Sequence, residues 1–336
     1  MLIRRTAEDI SQPLRRTVQV AFLLLNLWIG FQFYQFVRQF ETGVWRGWQR
    51  PAGVEGWLPI AGMMNSKVLL LTGYAPEVHP AAMVLFLVFV TSSLLLRKSF
   101  CGWLCPVGTL SEYLWSLGRE TFRRTWTLPK WLDIPLRGLK YLLLGFFLYA
   151  VVSMTVTDIE GFLRSPYGLI ADVRMLNFFR ALSVTAAIII GLLTIGSVFI
   201  ANFWCRYLCP YGALMGLAAL LSPLRIRRNK ERCIDCAKCA KVCPAQLPVD
   251  RLTQIRSAEC MACMSCIAVC PAEGALAMKL PGRKSRIVRP EWIAAAIAIL
   301  LVASVTTAKW TGHWETPLPA HVYQRLVPLA SETGHP

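Results

Sequence analysis

Five stretches of this chain are apolar over enough residues to leave it few possible folds: Val18–Val37, Pro80–Leu96, Leu139–Val156, Leu182–Phe203 and Trp292–Ala308. A helix crosses a hydrocarbon core ~30 Å thick with about 20 apolar residues. In lipid every backbone polar group must be paired within the protein, so such stretches read as transmembrane helices. Composition agrees, with 55% hydrophobic residues and a mean hydropathy of +0.46 over 336 residues. A sixth stretch, Trp57–Leu71, is interrupted by Pro59, Gly62, Asn65 and Lys67 and is expected to be an interfacial or re-entrant piece. Val18–Val37 is long and no small-residue cleavage site follows it, so a retained span is expected rather than a secretory signal.

The net charge of +17 narrows the partners to nucleic acid or a membrane surface. The distribution of charge selects the membrane. Of 36 Lys and Arg, 27 fall in residues 1–17, 97–140 and 202–290, and 9 fall in 38–79, 157–181 and 309–336. The positive side faces the cytoplasm. A bacterial inner-membrane protein with a cytoplasmic N-terminus and a periplasmic C-terminus is therefore expected. The clusters Arg123-Arg124, Arg225 to Arg228 and Arg283-Lys284 then act in topology and headgroup contact. No nucleic-acid recognition motif accompanies them.

Eight of the twelve cysteines sit together in one segment between the fourth and fifth apolar stretches, in "CIDCAKCAKVCP" (Cys233, Cys236, Cys239, Cys243) and "CMACMSCIAVCP" (Cys260, Cys263, Cys266, Cys270). Each run is C-x2-C-x2-C-x3-C-P, the bacterial ferredoxin spacing, in which the fourth cysteine ligates the other cluster. Two [4Fe-4S] clusters are expected, one on Cys233, Cys236, Cys239 and Cys270, the other on Cys260, Cys263, Cys266 and Cys243. A zinc ribbon does not have this spacing twice with a Cys-Pro ending. Disulfides do not suit a segment whose charge places it in the cytoplasm. No Cys-x-x-Cys precedes a His, and none of His79, His313, His321 and His335 lies inside a span, so no haem is expected. No dinucleotide-binding or phosphate-binding glycine loop is present, so no nucleotide is expected.

The remaining four cysteines occur in an echo. "CGWLCPVGTL" (Cys101–Leu110) and "CRYLCPYGAL" (Cys205–Leu214) follow the second and fourth apolar stretches. Spans one and two then read as a unit repeated in spans three and four, and parallel spans two and four deliver Cys101, Cys105, Cys205 and Cys209 to one membrane face. Two readings stay open. The four thiolates share a third metal site, an iron–sulfur cluster by preference, or each phrase is a membrane-exit turn with packed or dithiol cysteines. The Pro-x-Gly after each pair is expected to open a surface helix, over Pro106–Gly118 and Pro210–Ala219.

Paired CxxxCP motifs after membrane spans, followed by a two-cluster ferredoxin segment, resemble the membrane polyferredoxin family. That family includes the quinol-dehydrogenase membrane subunit of periplasmic nitrate reductase and the membrane core of the nitrous oxide reductase maturation regulator. The resemblance covers about Val18 to Leu280 and rests on all twelve cysteines. It implies electron transfer between the quinone pool and a partner redox protein or metalloenzyme.

The expected architecture is a polytopic α-helical membrane protein of about five spans with an internal two-span repeat. It carries a small α+β ferredoxin-like insert. The parts are residues 1–228 (four spans and both CxxxCP loops), 229–280 (a cytoplasmic two-cluster domain) and 281–336 (a fifth span and a periplasmic tail). The tail is expected as an interfacial strap with Trp310 and Trp314 at headgroup level. Quinol oxidation needs a proton acceptor, and the outer-side groups are Glu77, His79, Asp158, Glu160 and Asp172; the sequence selects none of them. Lys140, at the cytoplasmic start of the third span, is expected to snorkel. The expected function is electron transfer by a chain that need not be a complete enzyme. The rival is a regulator or assembly factor that senses redox state or supports metalloenzyme maturation. A transporter is disfavoured because no span interior carries Asp, Glu, Lys or Arg.

Overall fold

The computed structural model describes residues 9–124, 126–281 and 286–330. The first eight residues, the Arg283-Lys284 cluster and His335 lie outside the described residues. The chain is a helical membrane protein with a small sheet. Among the described residues three helices are long and apolar enough to span a bilayer: Ser11–Thr42, Lys130–Ser153 and Pro290–Trp310. A fourth candidate is a pair, Ala171–Arg180 and Val184–Phe199, bent by 81° at its break. Pro80–Leu96 is apolar but has 17 residues, about 25 Å of helix at ~1.5 Å per residue. On Lys130–Ser153 the side chains of Leu142, Phe146, Tyr149 and Val152 recur along one helical face and are 64–75% exposed. An aliphatic and aromatic stripe so exposed suits lipid, not water.

The chain forms two compact units. One holds Met1–Leu23, Phe89–Leu144 and Ile190–Leu300, the other Leu24–Val88, Gly145–Ile189 and Leu301–Pro336. The first contains all twelve cysteines. Its CxxxCP phrases open the helices Pro106–Phe122 and Pro210–Leu220. Its sheet pairs Arg225–Arg228 antiparallel with Leu276–Lys279, Arg225 opposite Lys279, which ties together the two ends of the ferredoxin-like segment.

In the second unit the expected interruption at Trp57–Leu71 is corrected: Pro59–Thr72 is one unbroken helix. Pro59 occupies the first turn, where its missing N–H is not needed. Asn65 turns its side-chain amide to the carbonyls of Val78 and His79, at 2.8 and 2.9 Å. Lys67 donates to the carbonyls of Val151 and Val152, at 3.1 and 2.9 Å, and to that of Met154. The first two are carbonyls that the end of Lys130–Ser153 would otherwise leave unpaired. The tail folds a helix, Ala320–Leu326, whose Tyr323 meets Phe36 and Phe40 at ring distances of 5.1 and 5.8 Å. Trp310 is 89% exposed, whereas Trp314 is buried, which corrects the headgroup placement expected for it.

Candidate metal centres

All twelve cysteines are free of disulfides. In the first unit they line three separate cavities, four to each. Cys233, Cys236, Cys239 and Cys270 line one, with Arg228, Lys238 and Asp250. Cys243, Cys260, Cys263 and Cys266 line another, whose other walls include Ile226, Leu247, Val249, Ile255 and Met261 and no charged group. Cys101, Cys105, Cys205 and Cys209 line the third, with Lys98, Asn202, Arg206 and Glu259. The fourth cysteine of each ferredoxin-type run thus stands with the first three of the other run, and the two CxxxCP phrases meet in one cavity. Among the described residues no group of three or more His, Cys, Asp or Glu is gathered for a single metal ion. Thiols set around the walls of a cavity suit a larger group holding several metal atoms.

The backbone shows why these spacings work. In both ferredoxin-type runs the residues on either side of the second cysteine have positive φ: Asp235 (51°) and Ala237 (56°), Ala262 (52°) and Met264 (59°). Left-handed backbone costs a non-glycine residue ~1–2 kcal/mol. Two such residues in each run turn three cysteines inward around one point. One-turn helices, Lys238–Lys241 and Ser265–Ala268, then carry the third cysteines, Cys239 and Cys266.

The CxxxCP phrases use a helix N-terminus. Cys105 and Cys209 are N-caps, each followed by Pro at the first helical position. The N–H of Gly108 donates to Cys105 Sγ at 3.5 Å, and that of Gly212 to Cys209 Sγ at 3.2 Å. A sulfur here takes the place of the usual Ser or Asp oxygen and sits where the helix end favours negative charge. Gly108 is needed for a further reason: a Cβ there would lie 2.8 Å from the Cys101 carbonyl oxygen.

Buried cations clamp the ferredoxin-like segment to these turns. Arg97 donates to the carbonyls of Ile255 and Ser257, at 2.9 and 2.8 Å. Arg206 binds Asp133 and the Ala245 carbonyl, at 3.0 and 2.8 Å. Trp103 donates its indole N–H to the Ala262 carbonyl at 3.0 Å. Gly102 allows close contact, since a Cβ there would lie 2.3 Å from the Met261 carbonyl oxygen. Lys140 is fully buried and its Nζ meets Glu259 at 2.6 Å. The snorkelling expected of Lys140 is therefore corrected: its ammonium is held by a carboxylate inside the protein. Sequence reasoning missed Lys98, Arg206 and Glu259. Their signal, two cations within three residues of a CxxxCP cysteine and an acid directly before Cys260, was present but was absorbed into the topology count.

Lys98 tests what the third cavity is built for. It is 3% exposed and lines the cavity. Among the described residues its ammonium has no hydrogen-bond acceptor and no ion pair within 4.0 Å. A buried unpaired charge is costly by several kcal/mol. Burial pulls the Lys98 ammonium down, yet the Cys101 sulfur and the Glu259 carboxylate outweigh it and raise it. Burial also pushes the facing thiols up, Cys101 to about 12 and Cys105 to about 11. Thiols so placed become thiolates when metal takes the proton's place. A four-thiolate iron–sulfur group is an anion and would supply Lys98 with its missing partner, so the residues present fit it.

The outer-side candidates lie in the second unit and separate into kinds. Glu77 is exposed. Asp158 closes a capping box with Thr155 at the start of Val156–Arg164. Glu77, Glu160 and Arg164 line a small cleft. His79 and Asp172 are buried, with Arg50 and a residue that the sequence reading passed over, Glu55. Arg50 bridges Glu55 at 2.8 Å and Asp172 at 2.7 Å. His79 Nδ1 faces Glu55 at 3.2 Å, and Nε2 faces the Gly168 carbonyl at 2.8 Å. Thr316 adds a hydroxyl to Glu55 at 2.7 Å.

Known proteins divide the chain in the same places. A 4Fe-4S binding domain matches residues 78–125 and again 182–229, and a 4Fe-4S dicluster domain matches residues 225–271. The putative electron transport protein YccM of Escherichia coli is 48% identical over 326 residues, covering 96% of this chain and 91% of YccM. Regulatory protein NosR of Pseudomonas aeruginosa is 28% identical over 61% of this chain and 28% of NosR. The methylamine utilization ferredoxin-type protein MauN of Paracoccus denitrificans is 27% identical over 56% of this chain and 63% of MauN. No solved structure matches. The chain belongs to the membrane polyferredoxin family of 4Fe-4S electron-transport proteins.

Proposed function

We propose that this chain carries electrons between the quinone pool and a partner redox protein through three [4Fe-4S] groups in the first unit. Cys233, Cys236, Cys239 and Cys270 hold one, Cys260, Cys263, Cys266 and Cys243 the second, and Cys101, Cys105, Cys205 and Cys209 the third. The observation that carries the reading is the sorting of twelve cysteines into three cavities, four by four. Pro244, Ala245 and Met261 form walls of both the CxxxCP cavity and the apolar ferredoxin-type one, so groups bound in the two would be neighbours. Bound clusters supply one-electron chemistry; the protein fixes their spacing, excludes water and sets their charge environment.

The same proposal holds five spans, an internal two-span repeat, an inner-membrane location, a cytoplasmic N-terminus and ferredoxin segment, and a periplasmic C-terminus. The domain limits are residues 1–228, 229–280 and 281–336. The twofold match of one 4Fe-4S domain supports the repeat, and the 27 of 36 Lys and Arg on one side support the orientation. Reporter fusions after Val156 and after Leu280 are expected to read outside and inside respectively; an outside signal after Leu280 overturns it. No haem and no nucleotide take part in this reading.

A redox-sensing regulator or assembly factor is the second reading, favoured by the match to NosR, whose name is regulatory. The match to YccM is longer and closer, and that name is of electron transport. Anaerobic purification, iron and sulfide counting and EPR during quinol titration decide between them. Electron transfer requires rapid reduction of the clusters by a quinol analogue. Slow reduction, with a partner enzyme left unmetallated when this chain is deleted, establishes the regulator.

A further inference from the structure

We infer that Lys98 is a potential-setting residue, and that its buried ammonium makes the four-cysteine CxxxCP site a better electron acceptor than the same cavity would be without that charge. The inference rests on the proposal that Cys101, Cys105, Cys205 and Cys209 share a cluster.

The walls of the two cavities differ in charge. Reduction adds one electron to a four-thiolate cluster, and so one negative charge, with no bond made or broken and no proton required. Burial opposes that charge in both cavities; around the apolar one it is offset by the Leu247 N–H at Cys243 and by Arg97 and Arg15, which act on Cys260 and Cys263 from outside the walls. The walls around Cys243, Cys260, Cys263 and Cys266 hold no charged side chain. The walls around the CxxxCP cysteines hold Lys98, Arg206 and Glu259. Glu259 is bonded to Lys140 at 2.6 Å through both oxygens, and Arg206 to Asp133 at 2.9 Å. Asp133 also binds Arg137, and Glu259 also attracts Lys98, so these carboxylates offset only part of the positive charge. Of the three charged groups in these walls, Lys98 is the one with no hydrogen bond or ion pair of its own among the described residues, so its charge acts on whatever the thiols hold. The N–H of Gly108 and that of Gly212, directed at Cys105 and Cys209, act in the same sense.

The test is a redox titration of the full chain, purified anaerobically in detergent, with dye mediators and dithionite, followed by EPR. The CxxxCP signal is identified as the one missing from the Cys101→Ser/Cys105→Ser variant. Lys98→Met should make that site at least about tenfold harder to reduce, ~59 mV for one electron, and leave both ferredoxin-type signals in place. Lys98→Arg, which keeps the charge, should stay within about twofold of the unsubstituted protein. A CxxxCP signal present in Lys98→Met at the unsubstituted potential overturns the inference and leaves the shared cluster standing. If Lys98→Met loses that signal, Lys98→Arg and Lys98→Gln decide: iron kept in the first and lost in the second supports the role of the charge, and loss in both overturns it. Absence of any third signal in the unsubstituted protein overturns the shared cluster, and the inference with it.

Discussion

The buried charges of the two units differ in one respect. In the second unit each buried ionic group meets an opposite charge: Arg50 lies between Glu55 and Asp172, and Glu55 also receives His79 and Thr316. In the first unit Lys98 is as deeply buried, yet it faces four thiols, and the carboxylate that acts on it, Glu259, is bonded to Lys140 instead. A closed ionic network holds segments together and asks for no ligand. An open one, in a cavity walled by cysteines, asks for an anion. Burial of charge alone therefore does not mark a site; an unmet charge beside ligand atoms does.

The strongest way to break this contrast is to remove the ligands. Cys101→Ser/Cys105→Ser and Cys205→Ser/Cys209→Ser should each abolish the same iron signal while two ferredoxin-type signals persist, as read by iron content and EPR. Unchanged iron in both reduces the repeated phrase to an exit turn. Cys243→Ser tests the crossed arrangement: the signal of the Cys260, Cys263 and Cys266 site should fall and that of the Cys233, Cys236 and Cys239 site should remain.

A second experiment sets the two networks against each other. Glu55→Gln strips Arg50 and His79 of a buried counter-charge and should destabilise the protein by about 3–5 kcal/mol, visible as earlier thermal unfolding in detergent. Lys98→Met in metal-free protein should have a much smaller effect, or the opposite sign, because it deletes an ammonium that has no hydrogen bond or ion pair of its own. With metal loaded, the same change should destabilise. If Lys98→Met weakens the metal-free protein as much as Glu55→Gln does, Lys98 has a protein partner in solution and the contrast fails.

What the sequence showed of this depended on range. The ferredoxin-type cysteines declare themselves because their ligand spacing is local, and the four that the spacing pairs are the four that line each cavity. The CxxxCP phrases were legible as a repeat, and a shared site was one of two readings the sequence left open; their gathering around one cavity needed the fold, since Cys101 and Cys205 stand in different helical segments. The buried cations were not legible. Arg97, Lys98 and Lys140 sit at the ends of apolar stretches, where most such residues reach for headgroups; only the fold shows Ile255, Ser257 and Glu259 taking that role for Arg97 and Lys140. The Glu55 network draws on residues 50, 55, 79, 172 and 316, a set with no spacing to read. Pro59, Asn65 and Lys67 looked like breakers because their compensating partners are distant in sequence.

The smallest expected effect concerns pH, and it sharpens the contrast from the side of the closed network. Both ring nitrogens of His79 face acceptors, Nδ1 the Glu55 carboxylate at 3.2 Å, nearer than the Arg50 Nη2 donor at 3.5 Å, and Nε2 the Gly168 carbonyl at 2.8 Å. A ring with acceptors on both sides is best served as an imidazolium, which donates from each nitrogen. The charges around it are Glu55 and Asp172, which favour that form, and Arg50, which opposes it. Burial pulls His79 down, but the Glu55 bond and the carboxylates outweigh it, and the net direction is up. Burial likewise raises Glu55, and Arg50 and His79 bring it down to about 2. The sign for His79 follows. Its folded value lies above the ordinary ~6.5, so the protonated ring contributes stability in full below that value. The contribution fades as pH rises through the raised folded value. Melting of the detergent-solubilised protein should therefore fall as pH rises above the ordinary imidazole value, and His79→Gln should flatten that fall while lowering stability at pH 6. Glu55 sets the opposite, acid limit, since its stabilising contribution is lost only as pH falls from the ordinary carboxylate range towards about 2. A melting profile that His79→Gln leaves unchanged in shape would mean that the ring is neutral in the fold, and that the network closes through Arg50 alone.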